Sequence, residues 1–128
     1  MDALGNVFWV AIGGAAGAVL RHLINISPLS GVFEKFPLPT FLINVSGSFV
    51  IGFLLIFLTD KVTVSHNLRM ALVVGFLGAF TTFSTFESEV FGLIRERYFL
   101  LAIVYLVSSV VVGFVGLVSG VELAKRIV

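Results

Sequence analysis

The chain has 128 residues, of which 59% are hydrophobic and 12% charged, and its mean hydropathy is +1.15. A soluble domain is about half apolar and about a quarter charged, so this composition describes a polytopic membrane protein. The net charge of +1 offers no basic surface for nucleic acid, and the absence of cysteine excludes disulfides and thiolate metal sites.

A membrane helix needs about 20 consecutive apolar residues. Four stretches qualify, at about residues 7–26, 40–59, 68–94 and 98–121, so an all-α membrane protein with one four-helix domain is expected. Asp2 stands where a signal peptide would carry basic residues, so the first stretch reads as a retained helix. Gly13 and Gly17 in this stretch make a GxxxG pair, which lets helix backbones approach closely. Arg21 falls in its last third, where an arginine can snorkel to the interface, line a vestibule or tie to carbonyls at a helix end.

Pro28, Pro37 and Pro39 punctuate the first loop. In the second stretch, Asn44 lies one turn after Thr40, and Ser48 and Gly52 make a small-residue pair. An unpaired amide in hydrocarbon costs several kcal/mol, roughly 4–8 on a cyclohexane scale, so Asn44 needs a partner. Its two N–H donors suit an anion, and an interhelical hydrogen bond is the other use.

The third stretch carries the most chemistry. Gly75 and Gly78 are followed by Thr81 and Thr82, a weak point at mid-membrane. A helix broken there frees carbonyls that can coordinate Na⁺; a continuous helix with packing glycines is the other reading. Beyond it, Phe83 and Phe86 are three apart, Ser84 and Ser88 share another face, and Thr82, Thr85 and Glu89 form a polar stripe. Aromatic ring edges are weakly positive and can face an anion, although in a chain with fourteen phenylalanines packing is the plainer use. Glu87 and Glu89 point in different directions, and a carboxylate exposed to lipid would be costly. Arg95, Glu96 and Arg97 make a tight turn into the fourth stretch, where Tyr105 and Ser109 extend the hydroxyls and Gly116 and Gly120 repeat the GxxxG spacing.

Four spans put both ends of the chain on one side. Lys61, Arg69, Lys125 and Arg126 fall there, against Arg21, Lys35, Arg95 and Arg97 on the other. Orientation follows Lys/Arg imbalance, and an even split fits insertion both ways round as an antiparallel dimer. Ser84 has no basic side chain in its stretch to activate it, and two carboxylates with two edge histidines make no convincing metal set, so an enzyme is not expected.

Taken together, these residues resemble the Fluc (CrcB) family of small fluoride channels over the whole chain. The likeness rests on Gly13, Gly14, Gly17, Ala18 and Arg21, on Thr40, Asn44, Gly47, Ser48, Phe49 and Gly52, and most specifically on Gly75, Gly78, the run Thr81 to Phe86, and Glu89. The resemblance implies a dual-topology antiparallel homodimer in the cell inner membrane, with a broken third helix and two pores that export fluoride passively from the cytoplasm. It implies a structural Na⁺ at the dimer centre, held by the backbone carbonyls of Gly78 and Thr81. It further implies a pore lined by Asn44, Phe83 and Phe86, and a polar track of Ser84, Thr85, Glu89, Tyr105 and Ser109. Arg21 would be a vestibule or structural charge. Ala79 and Glu87 stand where the family usually has Gly and Ser, and Gly113 where some relatives keep a hydroxyl. The alternative is a small dual-topology, proton-coupled cation or multidrug antiporter, for which Glu89 would be the coupling carboxylate.

Overall fold

The computed structural model describes residues 3–61 and 63–127, and every regular element among them is helical. The first helix, Ala3–Asn25, is followed by a single 3₁₀ turn, Pro28–Gly31, which Ser27 caps through its side-chain oxygen. The second, Leu38–Ile56, starts just after Pro37 and has Pro39 in its first turn, where a missing N–H leaves no bond unmade. It loosens into a wide turn over Phe57–Lys61. The third span starts at His66, capped by Ser65 Oγ accepting from the Leu68 N–H at 3.3 Å. It continues through the wide turns Met70–Leu77 and a regular turn Gly78–Phe80, leaves helical geometry at Thr81 and Thr82, and resumes as Phe83–Arg95. The fourth helix is Phe99–Ile127.

Four of these spans are long and apolar enough to cross a membrane. The first helix begins nearer the terminus than the apolar run, and the fourth continues past Val121 through Glu122, Lys125 and Arg126. A Lys125–Glu122 ion pair of 2.9 Å, three residues apart, belongs to these added turns.

The helices alternate in direction, so the first and third are parallel, as are the second and fourth. These are the two most extensive helix contacts. Glycines set both. A Cβ on Gly13 would overlap the Ala71 carbonyl, and one on Gly17 the Phe76 carbonyl. From the opposite side, a Cβ on Gly75 would lie 2.6 Å from the Val10 carbonyl oxygen. In the other pair, Gly52 lies against the Leu117 carbonyl and Gly120 against that of Phe49. The small-residue motifs are thus used within one chain, bringing backbones together where lipid provides no hydrophobic drive. The wide turns Met70–Leu77 lie along the first contact, placing an irregular backbone against glycine-lined helix.

The side-chain core is small. Phe86, Val90, Leu93, Ala102 and Tyr105 form it, with Phe36 and Phe41 packed against it. Much of the remaining apolar surface faces outward, including Val110, Phe114 and Val115 on the fourth helix, as a lipid-facing surface requires.

Replacing Gly17 or Gly120 with valine is expected to destabilise the protein by about 1–3 kcal/mol through overpacking. A lowered thermal midpoint in detergent, against an unchanged one for Gly5→Val in open space, checks this.

Candidate functional site

The site forms where the third span is interrupted. Thr81 (φ −74°, ψ 153°) and Thr82 (φ −148°, ψ 119°) are extended, so backbone groups around Thr82, beginning with its N–H, leave the helical ladder. Inside a membrane those groups need other partners. Asn44 supplies them. Its Nδ2 donates to the Thr82 carbonyl at 3.0 Å, and the Thr82 N–H donates to Asn44 Oδ1 at 2.8 Å. One amide side chain thereby imitates a paired strand neighbour. One Nδ2 hydrogen remains after these bonds.

Thr81 is fixed from both sides. Its N–H and its hydroxyl both donate to the Leu77 carbonyl, at 3.1 and 2.8 Å. Its methyl presses on Gly47, where any Cβ would overlap it. The Thr82 hydroxyl donates to Thr85 Oγ1 at 3.0 Å instead of capping the helix that follows.

Two helix ends therefore meet at one point, and their electrostatics differ. The Phe83–Arg95 helix presents its N-terminus, with unpaired N–H groups and a partial positive charge that favours anions. The Gly78–Phe80 turn presents carbonyls. The Thr82 N–H that would close the helical bond to the Gly78 carbonyl goes to Asn44 instead. Gly78 itself is exposed, and a Cβ there would meet nothing within 4 Å. Hard oxygen donors freed in this way suit a hard cation such as Na⁺. A cavity of about 320 Å³ opens at the junction, lined by Asn44, Ser48, Gly78, Thr81, Thr82 and Phe83 among others.

Phe83 and Phe86 separate in environment despite their spacing. Phe83 is 72% exposed on the cavity side, whereas Phe86 is buried in the core. Their ring centroids are 6.2 Å apart. Ser84 is exposed, and Thr85 is half-buried beneath Thr82.

Glu89 occupies a second polar cluster. Thr40 Oγ1 donates to Glu89 Oε1 at 2.8 Å, and the Tyr105 hydroxyl donates to Oε2 at 2.7 Å. Both donors are completely or almost completely buried. Tyr105 is held edge-on by Phe86 (centroids 5.1 Å apart) and by Phe36 (5.3 Å). A cavity of about 270 Å³ reaches this carboxylate from the first loop, lined by Asn25, Lys35, Phe36 and Thr40 among others. At its rim, Lys35 Nζ lies 3.0 Å from Glu96 Oε2. Its hydrogen bond to Glu96, then the charge of that carboxylate, holds the pKa of the Lys35 ammonium above its ordinary value.

Ser109 lies on the fourth helix one turn beyond Tyr105, and its buried hydroxyl has no partner among the described residues. An orphaned hydroxyl in an apolar setting calls for a ligand or water. Arg21 is half-buried on the first helix, on the side of the glycines that contact the third span. Glu87 is exposed beside Phe83, Ser84 and Ser88, while Glu89 faces inward, so the two carboxylates do separate. Among the described residues no three His, Asp or Glu side chains converge to hold a metal.

Sequence reasoning found most of these residues but missed two relationships. Thr82 is Asn44's partner, and Thr40 is Glu89's. The four-residue spacing of Thr40 and Asn44 on one helix face carried a signal for both, because it aims them at successive levels of the third span. Phe36 and Lys35, in the first loop, had no periodic signal.

Asn44→Ala should strand the buried Thr82 N–H, at a cost of about 1–3 kcal/mol for the unsatisfied group, while the Thr82 carbonyl keeps its place at the start of the following helix. Faster hydrogen exchange confined to residues 80–84, with a lower thermal midpoint, is the expected result.

The profile of the family described as CrcB-like protein, Camphor Resistance (CrcB), matches residues 8–121. The chain is 43% identical over 115 residues to a protein of Hydrogenobaculum sp. (strain Y04AAS1) named fluoride-specific ion channel FluC, covering 90% of this chain and 93% of that one. Proteins of the same name from Solibacter usitatus (strain Ellin6076) and Chloroflexus aurantiacus (strain ATCC 29366 / DSM 635 / J-10-fl) are 39% and 40% identical, covering 91% and 95% of this chain and 96% and 97% of theirs.

Proposed function

The chain belongs to the CrcB-like family, and from that membership we propose that it forms a passive, fluoride-selective channel through a cell membrane. The observation that carries this reading is the interrupted third span, where Asn44, two threonines and an uncapped helix N-terminus gather uncharged donors around a cavity. Fluoride is small and strongly hydrated, so a path through hydrocarbon must replace water with hydrogen-bond donors. Hydroxyls, amide N–H groups and aromatic edges do this without a full positive charge that would trap the ion.

In this reading the remaining Asn44 N–H, Phe83 and Ser84 line the upper path, with Phe86 behind Phe83. Thr85, Glu89, Tyr105 and Ser109 continue it as a polar track. The orphaned Ser109 hydroxyl supports that continuation. Glu89 accepts two hydrogen bonds and so orients the Tyr105 and Thr40 hydroxyls rather than binding the ion itself. Arg21 acts as a structural or vestibule charge near the mouth.

The functional unit in this proposal is an antiparallel homodimer of dual-topology chains with two pores. The even Lys/Arg split supports it, as does the exposed polar face of Ser84 and Glu87 within an apolar span, which lipid alone would leave unsatisfied. The carbonyls of Gly78 and Thr81 from two such chains would hold a structural Na⁺, which when bound supplies a fixed positive charge and cross-links the two interruptions. A proton-coupled antiporter would use Glu89 as its exchanging carboxylate, whereas in this reading Glu89 serves as the anchor of the Thr40 and Tyr105 hydroxyls.

Purified protein in liposomes should release fluoride rapidly when a K⁺ ionophore is added, and chloride far more slowly. Absence of fluoride flux from monodisperse protein would reject the channel. Asn44→Asp should reduce flux at least about tenfold, since like charge in a dry path costs more than about 1.4 kcal/mol. Tags at the C-terminus that react from both sides of the membrane would support dual insertion, and labelling from one side alone would reject it.

A further inference from the structure

The first loop lies over the cavity that leads to Glu89, and a single ion pair joins it to the opposite turn. Lys35 Nζ reaches Glu96 Oε2 at 3.0 Å, across 61 residues of sequence. The same ammonium sits over the Tyr98 ring, 5.3 Å from its centroid. The next residue, Phe36, turns inward. It packs edge-on against Phe33, Phe41 and Tyr105, at centroid separations of 6.1, 5.5 and 5.3 Å. Tyr105 in turn donates to Glu89 at 2.7 Å.

We propose that Lys35 is a positioning residue for the polar track: its latch to Glu96 and Tyr98 holds the first loop closed and seats Phe36 against Tyr105, fixing the Tyr105–Glu89–Thr40 hydrogen bonds. The inference rests on the channel reading for its functional consequence and on geometry alone for the latch.

The chain of contacts gives the latch leverage. The turn that receives Lys35 is stiff: the Tyr98 N–H closes it onto the Leu93 carbonyl at 2.8 Å, and Arg97 adopts the left-handed conformation at φ 65°. The loop it holds has little regular structure between Gly31 and Leu38. Without the ion pair, Phe36 keeps its aromatic contacts and the Leu38 N–H on its carbonyl at 2.8 Å, but the loop side of the wall opposite Phe86 is held less firmly against Tyr105. An exposed pair is individually weak, so the effect is graded and not all-or-none.

The chain has no cysteine, which makes a thiol probe clean. Asn25 lines the cavity under the loop and is placed in neither the pore nor the latch. In an Asn25→Cys background, Lys35→Met should speed modification by a charged thiosulfonate reagent by about twofold to fivefold, the size an exposed ion pair carries. Lys35→Met and Glu96→Gln should each slow fluoride efflux by about the same factor. Lys35→Arg should retain both properties, and the exchange Lys35→Glu with Glu96→Lys should recover them.

An unchanged modification rate in Lys35→Met, or an exchange variant as impaired as the single ones, overturns the latch. A wild-type protein that conducts no fluoride rejects the channel reading but leaves the thiol measurement to decide the latch by itself. Unchanged efflux beside a changed modification rate overturns the positioning role.

Discussion

The double hydrogen bond between Asn44 and Thr82 is the constraint on which the rest of the site depends. A membrane helix that stops at mid-span exposes an N–H and a carbonyl to hydrocarbon, at several kcal/mol for each group. The interruption is tolerable because a neighbouring helix presents, at the same height, a side chain with one donor and one acceptor in amide geometry. Aspartate would match the acceptor and lose the donor; leucine would match neither. The conformation of the third span is therefore encoded as much in the second helix as in the third.

The two broken ends then serve opposite purposes. Because Thr82 bonds to Asn44, the carbonyl of Gly78 loses its usual partner, and because the Thr82 hydroxyl turns to Thr85, the following helix keeps an uncapped N-terminus. A negative and a positive pole lie close together without any ionised side chain. Such poles attract ions while leaving them free to depart, which is what a fast selective path needs. The ionisable candidate, Glu89, is set apart from the break and held by Thr40 and Tyr105.

The glycines explain how so short a chain holds this geometry. At Gly13, Gly17, Gly52 and Gly120, the backbone of the neighbouring span sits where a side chain would be. Backbone-to-backbone contact fixes helix height more tightly than interdigitated long side chains, and height is what Asn44 needs to meet Thr82. The first span holds the third, the second holds the fourth, and Gly47 receives the Thr81 methyl between the two pairs. Phe36 then closes the far end by wedging loop against core.

The sequence alone determined the number of spans, their approximate limits, the even charge distribution and the identity of nearly every polar residue in the site, because a bilayer makes each uncharged run and each buried hydroxyl conspicuous. The fourth helix extends past its apolar run because charged residues with i,i+3 pairs remain good helix formers in water. What only the tertiary structure decided was partnership. Helical spacing places Phe83 and Phe86 on adjoining sides of one helix, but it is the neighbours that bury Phe86 against Tyr105 and leave Phe83 facing a cavity. Asn44 could have met an ion, a carbonyl or another amide, and the second helix's height against the third selected Thr82. Lys35 and Phe36 lie in a loop with no period to read, so their reach to Glu96 and Tyr105 depends on a chain path that local sequence does not specify. Hydropathy and spacing are local properties, whereas a hydrogen bond across helices depends on relative height and rotation, which emerge only when all four helices pack.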